Sequence, residues 1–349
     1  EGEGEEEPEP KVDLSALLPD GIKCVSIVAP SSQPNSNDVV ECVRSLEKAG
    51  KTVKVYPGVW KRPDGGADRA REIEAAWQDP ETDLILCARG GTGSFDTLKA
   101  LDFEILKARD VPFMGFSNIS TLLNGFVKMG VKRPIAGPLA STLATYPHTE
   151  ASIRRAHAVL AKEDLPSTQL EVRRAPSAAV TGKPLGGHVP SLASMTAEWI
   201  PDTAGRILFL EFNGGRNYSE AVSVFDTMAS RGWFGKAAAV VLCDMGITGT
   251  ATEKENLRKY ITDSVTCPVF SGYTFGHVPG LLTLDFGRNL TITPAGELSW
   301  GDFSETPVEP PPVEPGEDEG DDEEPQEPQT PVVVAAYKTL NAYLDTDAE

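Results

Sequence analysis

Over the first 148 residues, short apolar runs alternate with stretches whose apolar positions recur every three or four residues. The runs KCVSIVAP, TVKVYP, DLILCARGG and PFMGFS are almost unbroken in hydrophobicity, the pattern of strands buried on both faces. Between them, NDVVECVRSLEKAG and ADRAREIEAAWQDP carry the period of amphipathic helices. Such alternation predicts a parallel sheet covered by helices on both faces, here a Rossmann-like N-terminal domain over residues 20–148.

A polar, Arg-containing connector over residues 149–184 breaks the pattern. GRILFLEF, AAAVVLCDMG, CPVFSGYTFG, LLTLDFG and LTITPAGELSW follow within residues 185–303, with helices predicted through YSEAVSVFDTMASRG and TEKENLRKYITDS. The closing strands have no helices between them, so this second domain is expected to be mixed α/β with an antiparallel part. The expected whole is an α/β protein of two domains. Residues 1–19 read as an acidic disordered leader and residues 304–330 as an acidic, Pro-rich linker, because neither holds enough apolar surface to fold. The final stretch, 331–349, reads equally as a short amphipathic helix and as a frayed tail.

Charge sharpens this division. The net charge of −20 over 349 residues sits almost entirely in the ends: 20 of the 52 acids lie in 1–10, 305–327 and 331–349, against one base, Lys338. The remaining body is nearly neutral and has no basic face for phosphates, which argues against nucleic acid as a partner. The five cysteines, Cys24, Cys42, Cys87, Cys243 and Cys267, are widely spaced and mostly sit in apolar runs, so they read as buried hydrophobes of a reducing compartment. No CxxC pair or His/Cys cluster has metal-ligand spacing, and no apolar run approaches the roughly 20 residues of a membrane span. The expectation is a cytoplasmic protein without metal or cofactor. An exported form is the alternative, because the sequence opens on Glu1 rather than Met.

Four places carry candidate chemistry. In PFMGFSNIS an apolar strand runs through Gly115 into Ser117 and then a helix, a turn that exposes a serine hydroxyl at the sheet edge and aims helix amides at a developing oxyanion. The turn is an imperfect nucleophile elbow, with Ile119 where a second small residue is usual, and a serine there also reads as a helix N-cap. Arg89-Gly90-Gly91-Thr92-Gly93 follows a buried strand, where glycines let a ligand approach the backbone; neither a P-loop nor a dinucleotide fingerprint is present. Glu211 closes GRILFLEF, and His277 lies in the Gly/Pro-flanked turn SGYTFGHVPG. His148 and His157 fall in polar sequence and are expected to face solvent, leaving His188 in LGGHVPS as the competing base. Ser117, Glu211 and His277 supply nucleophile, acid and base, in an order found among other α/β serine hydrolases.

VAPSS, ILCARGGTGS, GFSNIS, IAGP, LGGHVPSLAS, FLEFNGG and FGHVPGLLTLDFG, in this order over residues 22–300, resemble the LD-carboxypeptidase family of serine peptidases, which includes the microcin-immunity hydrolases. The resemblance implies Ser117 as nucleophile, Glu211 as acid and His277 as base. It places the oxyanion donors at the backbone amides of Gly91 and Asn118, and it makes Arg89, Gly90 and His188 substrate-binding candidates. It further implies a metal-independent homodimer that removes a terminal D-amino acid from an L-centre in muropeptides. An amidase of peptidyl or aminoacyl nucleotides and a non-catalytic peptide-binding relative are the alternatives. The chain departs from the family at Asn118, where Asp is usual, at Ala136 in IAGP, where FHGP is common, and at His188, where Asn often follows the Gly-Gly pair. A basic residue common after the acid has no clear match in YSEAVSVFD.

Overall fold

The computed structural model describes residues 16–301 apart from 62, 64 and 146; most of the leader, the acidic linker and the C-terminal segment lie outside the described residues. The apolar runs of the first half form β1 (Cys24–Val28), β2 (Thr52–Val55), β3 (Leu84–Cys87), β4 (Phe113–Gly115) and β5 (Pro134–Ala136). They pair in parallel in the order β5-β4-β3-β1-β2. Strand alternation sends Val25, Ile27, Leu84 and Leu86 to one face, where helix Ser36–Lys48 buries Val39, Cys42, Val43 and Leu46 against them. Ile85, Cys87 and Phe113 face the other way, toward helices Gly66–Gln78 and Ser120–Met129.

The second half supplies β6 (Thr168–Gln169), β7 (Glu171–Arg174), β8 (Val180–His188), β9 (Arg206–Phe212), β10 (Ala239–Met245), β11 (Val269–Ser271), β12 (Leu284–Asp285), β13 (Leu290–Ile292) and β14 (Glu297–Trp300). Eight of these make a second sheet in the order β6-β14-β13-β8-β9-β10-β11-β7. Its centre, β8 to β11, is parallel, and its flanks are antiparallel. β12 leaves this sheet and pairs antiparallel with β5 of the first.

Among the contacts that join the halves, two stand out. Buried Asn124, on helix Ser120–Met129, meets the backbone of Gly186 twice: its Oδ1 accepts from Gly186 N at 3.0 Å and its Nδ2 donates to Gly186 O at 2.8 Å. Gly187 allows this approach, since a Cβ there would stand 2.2 Å from Ser120 Oγ. The second feature is the segment from β11 to β12, which passes from one sheet to the other and carries His277.

The leader ends earlier than residue 19. Leu17 and Leu18 are buried with Ile22, Val25 and Val39, because two adjacent leucines gain more from the core than from water. The polar connector also holds structure: helix Glu150–Ala161 buries Ile153, Ala156, Val159 and Leu160 against the first sheet's core. Its charged positions masked the apolar stripe in the sequence.

Candidate active site

Strand β4 ends at Gly115, and Ser117 opens a single 3-10 turn, Ser117–Ile119, before helix Ser120–Met129. Ser117 has φ of 63°, a left-handed conformation that costs a non-glycine residue roughly 1–2 kcal/mol. Gly90, three residues past the end of β3, makes room for it. A Cβ on Gly90 would lie 2.8 Å from Ser117 Cβ and 2.9 Å from its Oγ, and 3.4 Å from the Asn118 amide nitrogen. The next residue, Gly91, has φ of 106°, and a Cβ there would stand 2.3 Å from Ser32 Oγ.

The three residues singled out as nucleophile, acid and base come together from both sheets. His277 Nε2 lies 3.0 Å from Ser117 Oγ, and His277 Nδ1 lies 3.2 Å from Glu211 Oε2. Glu211, on β9, is completely buried, and its Oε1 has no hydrogen-bond partner among the described residues. A side chain so placed can orient the imidazole and stabilise its cation. Gly276 keeps the base turn close: at φ of 120°, a Cβ there would come within 3.0 Å of Glu211 Cβ and 3.1 Å of Asp244 Cβ. Burial, then the Glu211 carboxylate, pushes the Asp244 carboxyl above its usual pKa. The Phe116 ring packs 5.0 Å from the His277 ring.

Ser117, Asn118, His188 and His277 open onto a cleft of about 590 Å³. Gly91 and Phe95 line it on the nucleophile side, and Asn213 and Arg216 on the acid side. Arg89 and Gly90 are not among its lining residues; Arg89 is exposed and its Nη1 donates to Gln33 O at 3.1 Å. His188 is the register partner of Glu211 across β8 and β9, which is why it stands beside the base, with ring centroids 5.5 Å apart. Burial pushes its pKa below the usual value; the His277 and Arg216 charges act in the same direction and Glu211 opposes them. His148 and His157 lie elsewhere, bonded to Thr142 O and Ala16 O and only partly exposed.

Arg216 is the residue sequence reasoning missed. It sits five positions beyond Glu211 in the turn NGGRN, with Nη1 on Asn213 O at 3.2 Å. A cation held at the end of the acid's own strand by a Gly-Gly turn was the available signal. Asn118 is also more engaged than a bare amide donor: its Oδ1 accepts from Ser94 N and from the Ser31 and Ser94 hydroxyls, and its Nδ2 donates to Ser191 Oγ. Among the described residues, no group of three His, Cys, Asp or Glu side chains is placed to hold a metal, and no helix is long and apolar enough to cross a membrane.

The chain matches known proteins over most of its described length. Residues 25–137 match the LD-carboxypeptidase N-terminal domain, and residues 181–292 match the LD-carboxypeptidase C-terminal domain. The chain is 30% identical to the murein tetrapeptide carboxypeptidase of Pseudomonas aeruginosa over 59% of its own length and 71% of that relative. It is 23% identical to the microcin C7 self-immunity protein of Escherichia coli, over 64% of the chain and 75% of that protein. The fold superposes on a crystal structure of muramoyltetrapeptide carboxypeptidase from Oxalobacter formigenes with a TM-score of 0.69, at 23% identity, covering 80% of this chain and 99% of that one. The chain belongs to the LD-carboxypeptidase family of serine peptidases.

Proposed function

We propose that the protein is a carboxypeptidase that cuts the bond between an L-centre and a terminal D-amino acid in murein-type peptides, through an acyl-enzyme on Ser117. The observation that carries this reading is the hydrogen-bonded line Ser117–His277–Glu211 at the wall of a cleft that also holds Arg216. His277 Nε2 takes the Ser117 proton as Oγ attacks the scissile carbonyl, and Glu211 stabilises the resulting imidazolium. The backbone amides of Gly91 and Asn118 receive the oxyanion. His277 then passes the proton to the leaving amine, and a water activated by the same imidazole releases the acyl group. A carboxypeptidase must also recognise a free carboxylate, and Arg216 supplies a fork of donors for it.

A second reading, in line with the similarity to the Escherichia coli self-immunity protein, is that the same chemistry hydrolyses a peptidyl or aminoacyl nucleotide. Mass spectrometry of a muropeptide mixture after incubation with the protein separates the two. Loss of one terminal D-alanine supports the carboxypeptidase, whereas intact muropeptides beside hydrolysis of an aminoacyl-nucleotide analogue support the second. The homodimer stays part of the proposal and is read by light scattering in solution.

A further inference from the structure

One assignment of protons gives every polar group between the nucleophile turn and the acid strand a partner. The backbone amide of Ser94 can only donate, and it lies 3.0 Å from one end of the Asn118 side chain, so that end is the oxygen. The Asn118 nitrogen therefore faces Ser191 Oγ, at 3.1 Å, and donates to it. Ser191 then has its own proton free for His188 Nδ1, 2.8 Å away. On the far side of the ring, His188 Nε2 lies 3.3 Å from Asn213 O, a carbonyl that can only accept. Every group in the chain is satisfied when His188 is neutral with its proton on Nε2.

We infer that His188 is a positioning residue: a neutral Nε2–H imidazole that ties Asn118, beside the nucleophile, to Asn213, two residues beyond the acid. Both ring nitrogens are spent on the protein, so His188 offers substrate only its ring face and C–H edge. Its second service is electrostatic. His277 must become a cation as it takes the Ser117 proton, and its ring centroid is 5.5 Å from that of His188. A neutral neighbour leaves that cation unopposed, whereas a charged one would repel it. The charged groups facing His188 are Glu211, His277 and Arg216, and burial opposes its protonation.

The assignment deepens the proposed hydrolase reading, and its test separates the two. Long-range ¹H–¹⁵N spectra of histidine-labelled wild-type protein report each ring's tautomer directly. His188 is expected as the neutral Nε2–H form at pH 7; an Nδ1–H form or an imidazolium overturns the inference whatever the protein hydrolyses. In a second arm, a fluorophosphonate modifies Ser117 and the rate is resolved into kinact and KI. His188→Ala should lower kinact by on the order of 10²-fold with KI within about threefold, because a loosened turn misplaces the nucleophile. His188→Asn, which returns an acceptor for Ser191, should recover to within about tenfold of wild type. An unchanged kinact, or a loss confined to KI, overturns the positioning role. A wild type that resists the reagent strikes the serine-nucleophile reading instead, and the tautomer still decides this one. Asn118→Asp should turn the Ser191 proton away from His188 and make its ring titrate at higher pH; an unmoved titration counts against the relay.

Discussion

His277 Nε2 meets Ser117 Oγ at 3.0 Å across 160 residues of sequence. The contact depends on the passage from β11 to β12, which carries the imidazole out of the second sheet and sets it over a turn of the first. A serine held at φ of 63° beside that imidazole has the strained backbone that clusters at active sites. Ser117→Ala is therefore expected to lower hydrolysis by on the order of 10⁴-fold or more while the protein stays folded. Ser117→Gly should be equally inactive and more stable than Ser117→Ala by roughly 1 kcal/mol, because glycine occupies the left-handed region without strain. Denaturant unfolding of the two variants beside an activity assay decides this; turnover in either removes Ser117 as nucleophile.

Gly90 tests the turn from the opposite side. A methyl group there would press on Ser117 Cβ and Oγ at under 3 Å. Gly90→Ala should then cost about 10²-fold in kcat/KM by displacing the nucleophile. Wild-type rates in the alanine variant would show that the turn yields without consequence for the chemistry.

Much of this was legible in the chain, and the reason differs between elements. β1, β3, β9 and β10 are buried on both faces, so each appears as a predominantly apolar run in the sequence. Ser117 was marked by its place between β4 and a helix, and His277 by the glycine and proline around it, both local signals. What the sequence hid is relational. The pairing of β12 with β5 rests on two residues, and the register that sets His188 beside Glu211 exists only once β8 and β9 lie together. Arg216 shows the same limit, since its place at the cleft comes from where a turn after β9 ends rather than from a residue pattern.

If Arg216 holds the terminal carboxylate, its removal should weaken binding more than chemistry. Arg216→Ala is expected to raise KM by about 10- to 100-fold with kcat changed far less, and Arg216→Lys to fall between, having the charge without the fork. A carboxamide-ended substrate should be nearly indifferent to the substitution. Equal losses for acid and amide substrates would place the carboxylate elsewhere.

The start of the fold gives a stability prediction. Leu17 is 1% exposed and packs with Val25, Val39 and Ile153 in the first core. Leu17→Ala should cost about 2–4 kcal/mol, the usual range for truncating a buried leucine. Chemical denaturation reads it, and a change under about 0.5 kcal/mol would return residues 16–19 to the leader.

Glu72 gives the fold a pH dependence of known sign. It is 6% exposed; Gly58 N donates to its Oε1 at 2.7 Å, and its Oε2 has no hydrogen-bond partner among the described residues. Burial raises its pKa to about 7, against the Gly58 hydrogen bond, which acts downward. A carboxyl whose folded pKa lies above its ordinary 4.5 binds more protons folded than unfolded between those two values. Its contribution is thus fully present below about pH 4.5, declines as pH rises, and is gone above about 7. At about 1.4 kcal/mol per pKa unit, the whole decline is at most roughly 3 kcal/mol. Glu72→Gln keeps the acceptor for Gly58 and cannot ionise, so its stability curve lacks this decline. Unfolding free energies measured from pH 4.5 to 8 should show the glutamine variant gaining on wild type through that window and holding a constant lead above it. Subtracting the two curves cancels the other buried acids, Asp244 and Asp285 among them, whose pKa values burial also raises. Parallel curves would mean that Glu72 ionises without penalty, with water or a rearranged neighbour serving the oxygen that stands alone here.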